Sequence, residues 1–266
     1  MTERIALAVN GACGRMGQRL IAVALADPRF HLVAACDLHE HSAQGKDVGE
    51  VCGIESTGIK ISPQLPLEHR PDVVIDFSSP EGTMWLLGAC TSRHIPIIIA
   101  TTGHTPAQME DIREAAHETA VLRAANLSLG MNLLAQLLAQ AAKALKGQDY
   151  DVEIIEKHHR FKKDAPSGTA LHLAHVIQQA MGHTKLRHGR EGQIGERRSD
   201  EIGIHAVRTG DNVGEHSVYF STLGETLELA HRATSRDCFV RGALEAARFL
   251  AGKAAGWYEM SDVLGL

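Results

Sequence analysis

The first half of the chain alternates short, continuously apolar segments with segments in which apolar residues recur at helical spacing. Continuously apolar segments indicate strands that are buried on both faces of a parallel sheet. Their alternation with helices predicts an α/β fold with a Rossmann-type, doubly wound parallel sheet. The predicted strands are Ile5–Val9, His31–Cys36, Asp72–Phe77, Ile95–Ala100 and Val121–Ala125.

The pattern changes after residue 129 and predicts a second, α+β domain built on an open mixed sheet. Long helices are predicted over about Met131–Lys146 and over Ser167–Met181, and the polar segment Lys185–Asp200, rich in glycine and arginine, is predicted to be a mobile loop. The predicted strands are 151–156, 202–207, 215–221 and 225–230, with hairpin turns at 210–212 and 223–224. A last helix is predicted over 241–251 and is expected to return to the first domain.

Composition narrows the class of protein. The chain has 266 residues, of which 44% are hydrophobic and 22% charged, as in ordinary globular proteins. A formal net charge of −5 argues against a nucleic-acid partner, and no apolar segment is long enough to span a membrane. A strand is predicted within five residues of the N-terminus, which leaves no room for a signal peptide. The five cysteines form no Cys-x-x-Cys pair, so we expect a reduced, cytoplasmic protein.

A glycine-rich turn follows the first predicted strand and opens a helix. Gly11, Gly14 and Gly17 are spaced as Gly-x-x-Gly-x-x-Gly, which differs from the commoner Gly-x-Gly-x-x-Gly of dinucleotide-binding proteins. A helix N-terminus after such a turn binds a pyrophosphate. Asp37 lies 20 residues beyond Gly17, where an acid accepts hydrogen bonds from an adenosine ribose. The alternative is a glycine turn that serves only helix packing.

Two further loops are expected on the nicotinamide side of this site. They are Thr101–Gly103 and Ala124–Leu127, which follow the fourth and fifth predicted strands. Ligands of open α/β sheets bind at the carboxyl ends of strands. Asp37 would repel the 2′-phosphate of NADPH, and no lysine or arginine adjoins it. We therefore predict that NADH is preferred, with NADPH possible because His39 and His41 can partly compensate.

The segment Glu156–Ala170 combines two adjacent histidines, four cationic side chains and a Pro-Ser-Gly-Thr helix start. A proton donor thus lies beside a helix N-terminus that can bind a carboxylate, which suits a small dicarboxylate substrate that is protonated as it reacts. The alternatives are an ordinary pair of surface histidines and a metal site. Adjacent histidines on a strand do not easily chelate one ion, and no Cys or acidic residue is spaced to help, so we expect no metal.

The chain resembles the dihydrodipicolinate reductase family of the lysine and diaminopimelate pathway over nearly its whole length. The motifs that carry the resemblance are Val9–Gly17, Asp76–Thr83, Ala100–Gly103, Ala124–Ser128, Glu156–Ala170, Gly210–Asp211, Gly214–His216 and Ala230–Arg236. The resemblance implies NAD(P)H-dependent reduction of the dehydrated form of 4-hydroxy-tetrahydrodipicolinate, a small cyclic dicarboxylate, to tetrahydrodipicolinate. It also implies a homotetramer. Ala100 stands where members often have Gly, and Leu38 stands where some have the Arg that favours NADPH.

The resemblance also implies residue roles. His158 matches the proposed proton donor or acceptor and Lys162 the proton donor, while His159, Gly168 and Thr169 match substrate contacts. Which of His158 and Lys162 delivers the proton stays open. The implied cofactor contacts are Gly11, Ala12, Cys13, Gly14, Arg15, Met16, Asp37, Ala100, Thr101, Thr102, Ala124, Ala125, Asn126 and Leu127.

These roles assign the domains. Residues 1–129, completed by 239–266, are predicted to bind the dinucleotide, and residues 130–238 to bind the substrate and to oligomerise. Two other functions stay open. One is another Rossmann-fold reductase of a small carboxylate, such as an aspartate or homoserine dehydrogenase, which would lack the Pro-Ser-Gly-Thr anion site. The other is a non-catalytic NADH sensor, which would need no proton donor there.

Overall fold

The computed structural model describes residues 4–68, 70–182 and 185–266. Two compact units form, Met1–Leu129 with Asp237–Leu266 (the first unit) and Gly130–Arg236 (the second unit). In chain order the elements are β1 (Ile5–Asn10), α1 (Arg15–Leu25), β2 (Phe30–Cys36), α2 (Val48–Cys52), β3 (Ile61–Ser62), β4 (Val73–Asp76), α3 (Pro80–Ser92), β5 (Ile97–Ile99), α4 (Pro106–Ala115), β6 (Ala120–Arg123), α5 (Leu129–Leu145), β7 (Asp151–His158), α6 (Gly168–Met181), β8 (Lys185–His188), β9 (Glu201–Arg208), β10 (Gly214–Thr222), β11 (Glu225–Ala233), α7 (Asp237–Leu250), β12 (Gly256–Tyr258) and α8 (Met260–Leu264).

The first unit is a seven-stranded sheet in the order β12-β6-β5-β4-β1-β2-β3. Every neighbouring pair of strands is parallel. Alternate strand residues face two separate cores. Leu7 and Val9 pack with α1 and α7, whereas Ala8 and Val74 pack with α3 and α4. Helices on both faces of a parallel sheet confirm the predicted doubly wound fold.

The second unit is a five-stranded sheet in the order β11-β10-β7-β9-β8. β7, β9 and β8 run parallel, while β10 is antiparallel to both β7 and β11, so the predicted mixed sheet is confirmed. Helices α5 and α6 pack on one face of the sheet, where Val152, Ile154, Val218 and Phe220 are buried. The alternate residues, such as Ile155 and Tyr219, point to the other face and are half-buried.

Three predictions of local structure need correction. Residues 185–188 of the predicted mobile loop form β8, because they pair with β9. The turn at 210–212 does not close a hairpin, since β7 lies between β9 and β10; the hairpin at 223–224 does form. The last long helix begins at Asp237, four residues earlier than predicted. The short elements α2, β3, β12 and α8 were missed, because segments of two to five residues carry little periodicity.

Across the described ranges, no helix is both long and apolar enough to cross a membrane.

Candidate active site

In the glycine turn of the first unit, close packing requires glycine at two of the three glycine positions. Gly11 has φ +75°, and a Cβ there would lie 2.5 Å from the carbonyl oxygen of Phe77. A Cβ on Gly17 would overlap the carbonyl oxygen of Gly11. Gly14 is different, since it is exposed and its Cβ would meet only the Gly11 oxygen at 3.3 Å. Packing alone therefore explains two of the three glycines, and Gly14 is open to an approaching ligand.

Helix α1 begins directly after Gly14 without a side-chain cap. The N–H groups at the start of an α-helix have no intrahelical acceptor, and here Arg15 and Met16 occupy the first two positions. Other helices are capped by side chains, namely those of Asp47, Ser79, Thr105 and Ser167. An uncapped, exposed helix N-terminus fits the pyrophosphate of a dinucleotide.

Asp37 joins the end of β2 to this turn. Its carboxylate accepts hydrogen bonds from the N–H of Cys13 at 2.7 Å and from the N–H of Leu38 at 2.8 Å. The acid predicted to contact a ribose thus lies beside the glycine turn. Burial and the adjacent Asp37 raise the pKa of the Cys13 thiol to about 12, so this cysteine stays protonated.

The two loops predicted beside the nicotinamide each contain one buried residue. Thr101 is buried and donates its hydroxyl to Asp76 at 2.8 Å, and Leu127 is buried in the core beside α7. Thr102 and Ala125 are exposed, while Ala100 and Ala124 are half-buried. Because the Thr101 and Leu127 side chains turn inward, a ligand contact at these two positions falls to the main chain.

Asp76 is a residue whose role sequence reasoning missed. It is fully buried at the end of β4. Its carboxylate accepts hydrogen bonds from Asn10 at the end of β1, Thr83 in α3 and Thr101 after β5, at 2.8, 2.5 and 2.8 Å. One carboxylate thereby fixes three segments at the carboxyl edge of the sheet. The available signal was an acidic residue that directly follows the apolar run Val73–Ile75.

In the second unit, His158 ends β7 and is held by a buried carboxylate. Its Nδ1 lies 2.6 Å from Oε2 of Glu156, which is fully buried. A carboxylate only accepts, so Nδ1 donates and Nε2 is left for other partners. Gly214 lies opposite, and a Cβ there would come within 3.1 Å of Nε2. Burial outweighs the attraction of Glu156 and lowers the pKa of His158, which is therefore neutral at neutral pH.

Glu156 has three further donors. Arg208 binds it with both terminal nitrogens at 2.8 Å, and the backbone N–H of Ser167 donates to Oε1 at 3.0 Å. Burial opposes ionisation of this carboxyl, but Arg208, His158 and Ser167 outweigh it, so the pKa of Glu156 lies below its ordinary value. A buried anion thus links the end of β7 to the start of α6.

The predicted carboxylate site is the N-terminus of α6, where Gly168 and Thr169 occupy the first two positions. Ser167 caps this helix by accepting the N–H of Ala170 at 3.1 Å. The same hydroxyl lies 3.1 Å from Nε2 of His216, a buried residue. Burial, and then the nearby His158, lower the pKa of His216 to about 4, so it too is neutral. Gly168 is exposed, so the start of this braced helix is accessible to solvent.

Lys162 lies in the loop between β7 and α6. Its ammonium forms an ion pair of 2.9 Å with Asp164, and its charge lowers the pKa of His158. Lys163 is exposed, whereas Lys162 is largely buried, with 22% of its side chain accessible. His159 packs beside Phe161, with 6.2 Å between ring centroids. His158, Lys162 and the start of α6 are thus brought together around Glu156.

Three side chains of this cluster, Glu156, Arg208 and His216, were given no role by the sequence. A signal existed for two of them. In β7, Glu156 lies on the same face as Val152 and Ile154, because alternate residues of a strand share a face. In β9, Arg208 likewise shares a face with Ile202 and Ile204, so both charged residues occupy core-facing strand positions.

Within residues 4–68, 70–182 and 185–266, no three His, Cys, Asp or Glu side chains converge as metal ligands.

Comparison with known families gives two matches that together span the chain. Residues 5–127 match the family described as dihydrodipicolinate reductase, N-terminus, and residues 130–264 match dihydrodipicolinate reductase, C-terminus.

Curated relatives and solved structures agree. The 4-hydroxy-tetrahydrodipicolinate reductase of Hahella chejuensis is 47% identical, covering 98% of both chains. That of Aquifex aeolicus is 45% identical, covering 98% of this chain and 99% of the other. The structure of dipicolinate-bound dihydrodipicolinate reductase from Paenisporosarcina sp. TG-14 superposes with a TM-score of 0.76 at 25% identity, covering 97% of this chain and 98% of that one.

Proposed function

The chain belongs to the dihydrodipicolinate reductase family, and we propose that it uses NAD(P)H to reduce the dehydrated form of 4-hydroxy-tetrahydrodipicolinate to tetrahydrodipicolinate. This reaction is a step in the biosynthesis of diaminopimelate and lysine. Family membership decides against an aspartate or homoserine dehydrogenase. The observation that carries the proposal is the grouping of Lys162, His158 and the start of α6 around the buried Glu156.

Lys162 is the proton donor in this proposal. Reduced nicotinamide supplies the hydride, and the substrate ring then needs a proton. The pKa of His158 is lowered, first by burial, so the imidazole carries no spare proton at neutral pH. In this proposal the proton comes from Lys162, whose side chain pairs with Asp164. His158, with Nε2 available as an acceptor, orients the substrate or a water molecule.

The substrate carboxylates are held by the start of α6 and by His159. The backbone amide of the exposed Gly168 and the adjacent Thr169 receive one carboxylate, since a helix N-terminus favours an anion. Each charge-assisted hydrogen bond contributes roughly 1.5–3 kcal/mol. The relative from Paenisporosarcina is bound to dipicolinate, a compound with two carboxylates, which supports this class of substrate.

The first unit binds the dinucleotide through the uncapped start of α1, from Gly11 to Met16, with NADH preferred. Asp37 disfavours a 2′-phosphate, and Leu38, which is 53% exposed, offers it no charge. The variant Leu38→Arg should lower the KM for NADPH about tenfold, because one charge-assisted bond is worth about 1.4 kcal/mol or more. A wild-type KM for NADPH well below that for NADH contradicts the preference.

The second unit binds the substrate. It assembles a homotetramer through the face of its sheet that lies opposite α5 and α6. Ile155, Val207 and Tyr219 lie on this face and supply apolar area for an interface. Sedimentation analysis should find a tetramer, and Tyr219→Glu should yield smaller species. A wild-type monomer rules this assembly out.

The decisive experiment is a coupled assay with freshly made product of dihydrodipicolinate synthase, followed through the loss of NADH absorbance. Turnover is expected with wild-type protein and is expected to collapse in Lys162→Met, which should still bind NADH. Binding of NADH with no consumption by the wild type would instead identify an NADH sensor.

A further inference from the structure

Arg208 contacts more of the proposed site than a single ion pair needs. Besides its two bonds to Glu156, its Nη2 donates to the backbone oxygen of Asp164 at 2.6 Å. The Asp164 side chain is the partner of Lys162. One guanidinium therefore reaches the carboxylate that holds His158 and the residue that holds Lys162.

The contacts of Glu156 divide evenly between its two oxygens. Oε2 receives His158 and one nitrogen of Arg208, and Oε1 receives the Ser167 N–H and the other nitrogen. A carboxylate oxygen accepts about two hydrogen bonds, so Glu156 is saturated and cannot rotate without breaking several at once. Its hold on His158 is consequently rigid.

We propose that Arg208 is a positioning residue for the reduction: acting through Glu156 it fixes the Nδ1–H form of His158, and through Asp164 it fixes the place of Lys162. The inference rests on the proposed function, because it assigns a role within that reaction. Arg208 forms no hydrogen bond with His158 or Lys162, so its positioning of these side chains passes through the Glu156 carboxylate and the Asp164 backbone.

The charges around His158 allow a test based on the direction in which its pKa shifts in each variant. Glu156 favours the imidazolium, while Lys162 and Arg208 disfavour it, and His216 from β10 packs against the ring with 5.2 Å between centroids. Removing Arg208 takes away one of the two cations that disfavour the imidazolium and should raise the pKa of His158. Removing the charge of Glu156 should lower it further. A general loss of structure in the two variants would not move the pKa of His158 up in one and down in the other.

The chain offers a matched control in Arg190, which binds Glu153 with bond lengths of 2.6 and 3.0 Å in the same unit. Both arginines are mostly covered, with 26% of the Arg190 side chain and 19% of the Arg208 side chain accessible. Arg190 contacts none of His158, Lys162 and Glu156. Arg190→Met therefore reports the loss of a similar ion pair without the proposed role.

The experiment compares Arg208→Met, Glu156→Gln and Arg190→Met in two measurements. Nitrogen-15 NMR of labelled histidine in the ligand-free enzyme should show the Nδ1–H form of His158 in wild type, titration at higher pH in Arg208→Met and at lower pH in Glu156→Gln. In the coupled assay, kcat should fall on the order of 10²-fold in both, with the KM for NADH within about threefold of wild type. Arg190→Met should change neither quantity by more than about threefold.

The outcomes separate the inference from the proposed function. A wild type that does not consume NADH refutes the function, while the NMR measurement still tests the positioning of His158. Unchanged His158 titration in Arg208→Met, or a loss of kcat matched by Arg190→Met, overturns the inference. Should Arg208→Met fail to fold, Glu156→Gln, which keeps the size of the side chain, decides by the direction of its shift.

Discussion

The helices α1 and α6 each begin at a proposed anion site, and their first turns are built in different ways. Helix α1 follows Gly14 and has no side-chain cap, so no capping side chain competes with the proposed ligand for its first amides. Helix α6 follows Ser167, whose hydroxyl caps the helix and contacts His216, and whose N–H is bound by Glu156. One site is made of backbone, the other of a backbone braced by buried charged and polar side chains.

The difference matches the two proposed tasks. The pyrophosphate of the cofactor is not altered by the reaction. Its site therefore needs only fixed backbone dipoles and room for close approach, which glycine provides. The substrate must be held and protonated at a defined atom, so its site needs side chains with defined charge. Single changes of charge should therefore harm the second site most, and changes of backbone shape the first.

The largest expected effect is at Lys162. Lys162→Met should lower kcat on the order of 10²–10⁴-fold, because proton delivery is worth that much. Lys163→Met is the matched control and should stay within about threefold, since Lys163 is exposed. Steady-state NADH oxidation measures both, and equal losses would mean that charge near the site matters more than the position of one ammonium.

The second effect concerns stability in acid. The pKa of His216 is about 4 in the folded protein and ordinarily about 6.5. Between these values the unfolded chain takes up a proton that the folded protein does not, so the free energy of unfolding should fall as the pH drops from 6.5 towards 4. The full contribution is about 3 kcal/mol. His216→Gln should flatten this slope in urea titrations at several pH values, whereas exposed His117→Gln should not; equal slopes would refute the assignment.

The third effect tests the backbone site. Gly17→Ala places a Cβ against the Gly11 carbonyl and should cost about 1–3 kcal/mol of unfolding free energy, with weaker NADH binding. Gly88→Ala in α3 meets nothing within 4 Å and should be neutral or stabilise by up to about 1 kcal/mol. Thermal unfolding and NADH titration distinguish the two, and a tolerated Gly17→Ala would mean that the turn relaxes.

The same contrast explains which features were predictable from sequence. The glycine turn and the start of α6 are local, so spacing and capping residues revealed both, along with the strand–helix alternation. The bracing of α6 joins residues far apart in the chain, since Glu156 and Arg208 are 52 residues apart and Ser167 and His216 are 49 apart. Such pairs depend on the order of strands, and the wrong hairpin at 210–212 hid that β7 lies between β9 and β10.

The smallest effect concerns the side-chain caps of the two helices, starting with the cap of α6. Ser167→Ala removes the cap of α6 and should cost about 0.5–2 kcal/mol of unfolding free energy while raising the KM for the substrate more than that for NADH.

The converse change at α1 is Gly14→Asp, which gives this helix the side-chain cap that it lacks. Gly14 has φ −71° and ψ 160°, the extended conformation of an N-cap, so the fold should tolerate the change. The new carboxylate would repel a pyrophosphate and raise the Kd for NADH about tenfold. Calorimetric titration with NADH measures this, and Gly14→Asn, which caps without charge, is the control. Equal losses in both variants would mean that Gly14 is needed for space rather than for an uncharged, uncapped helix end.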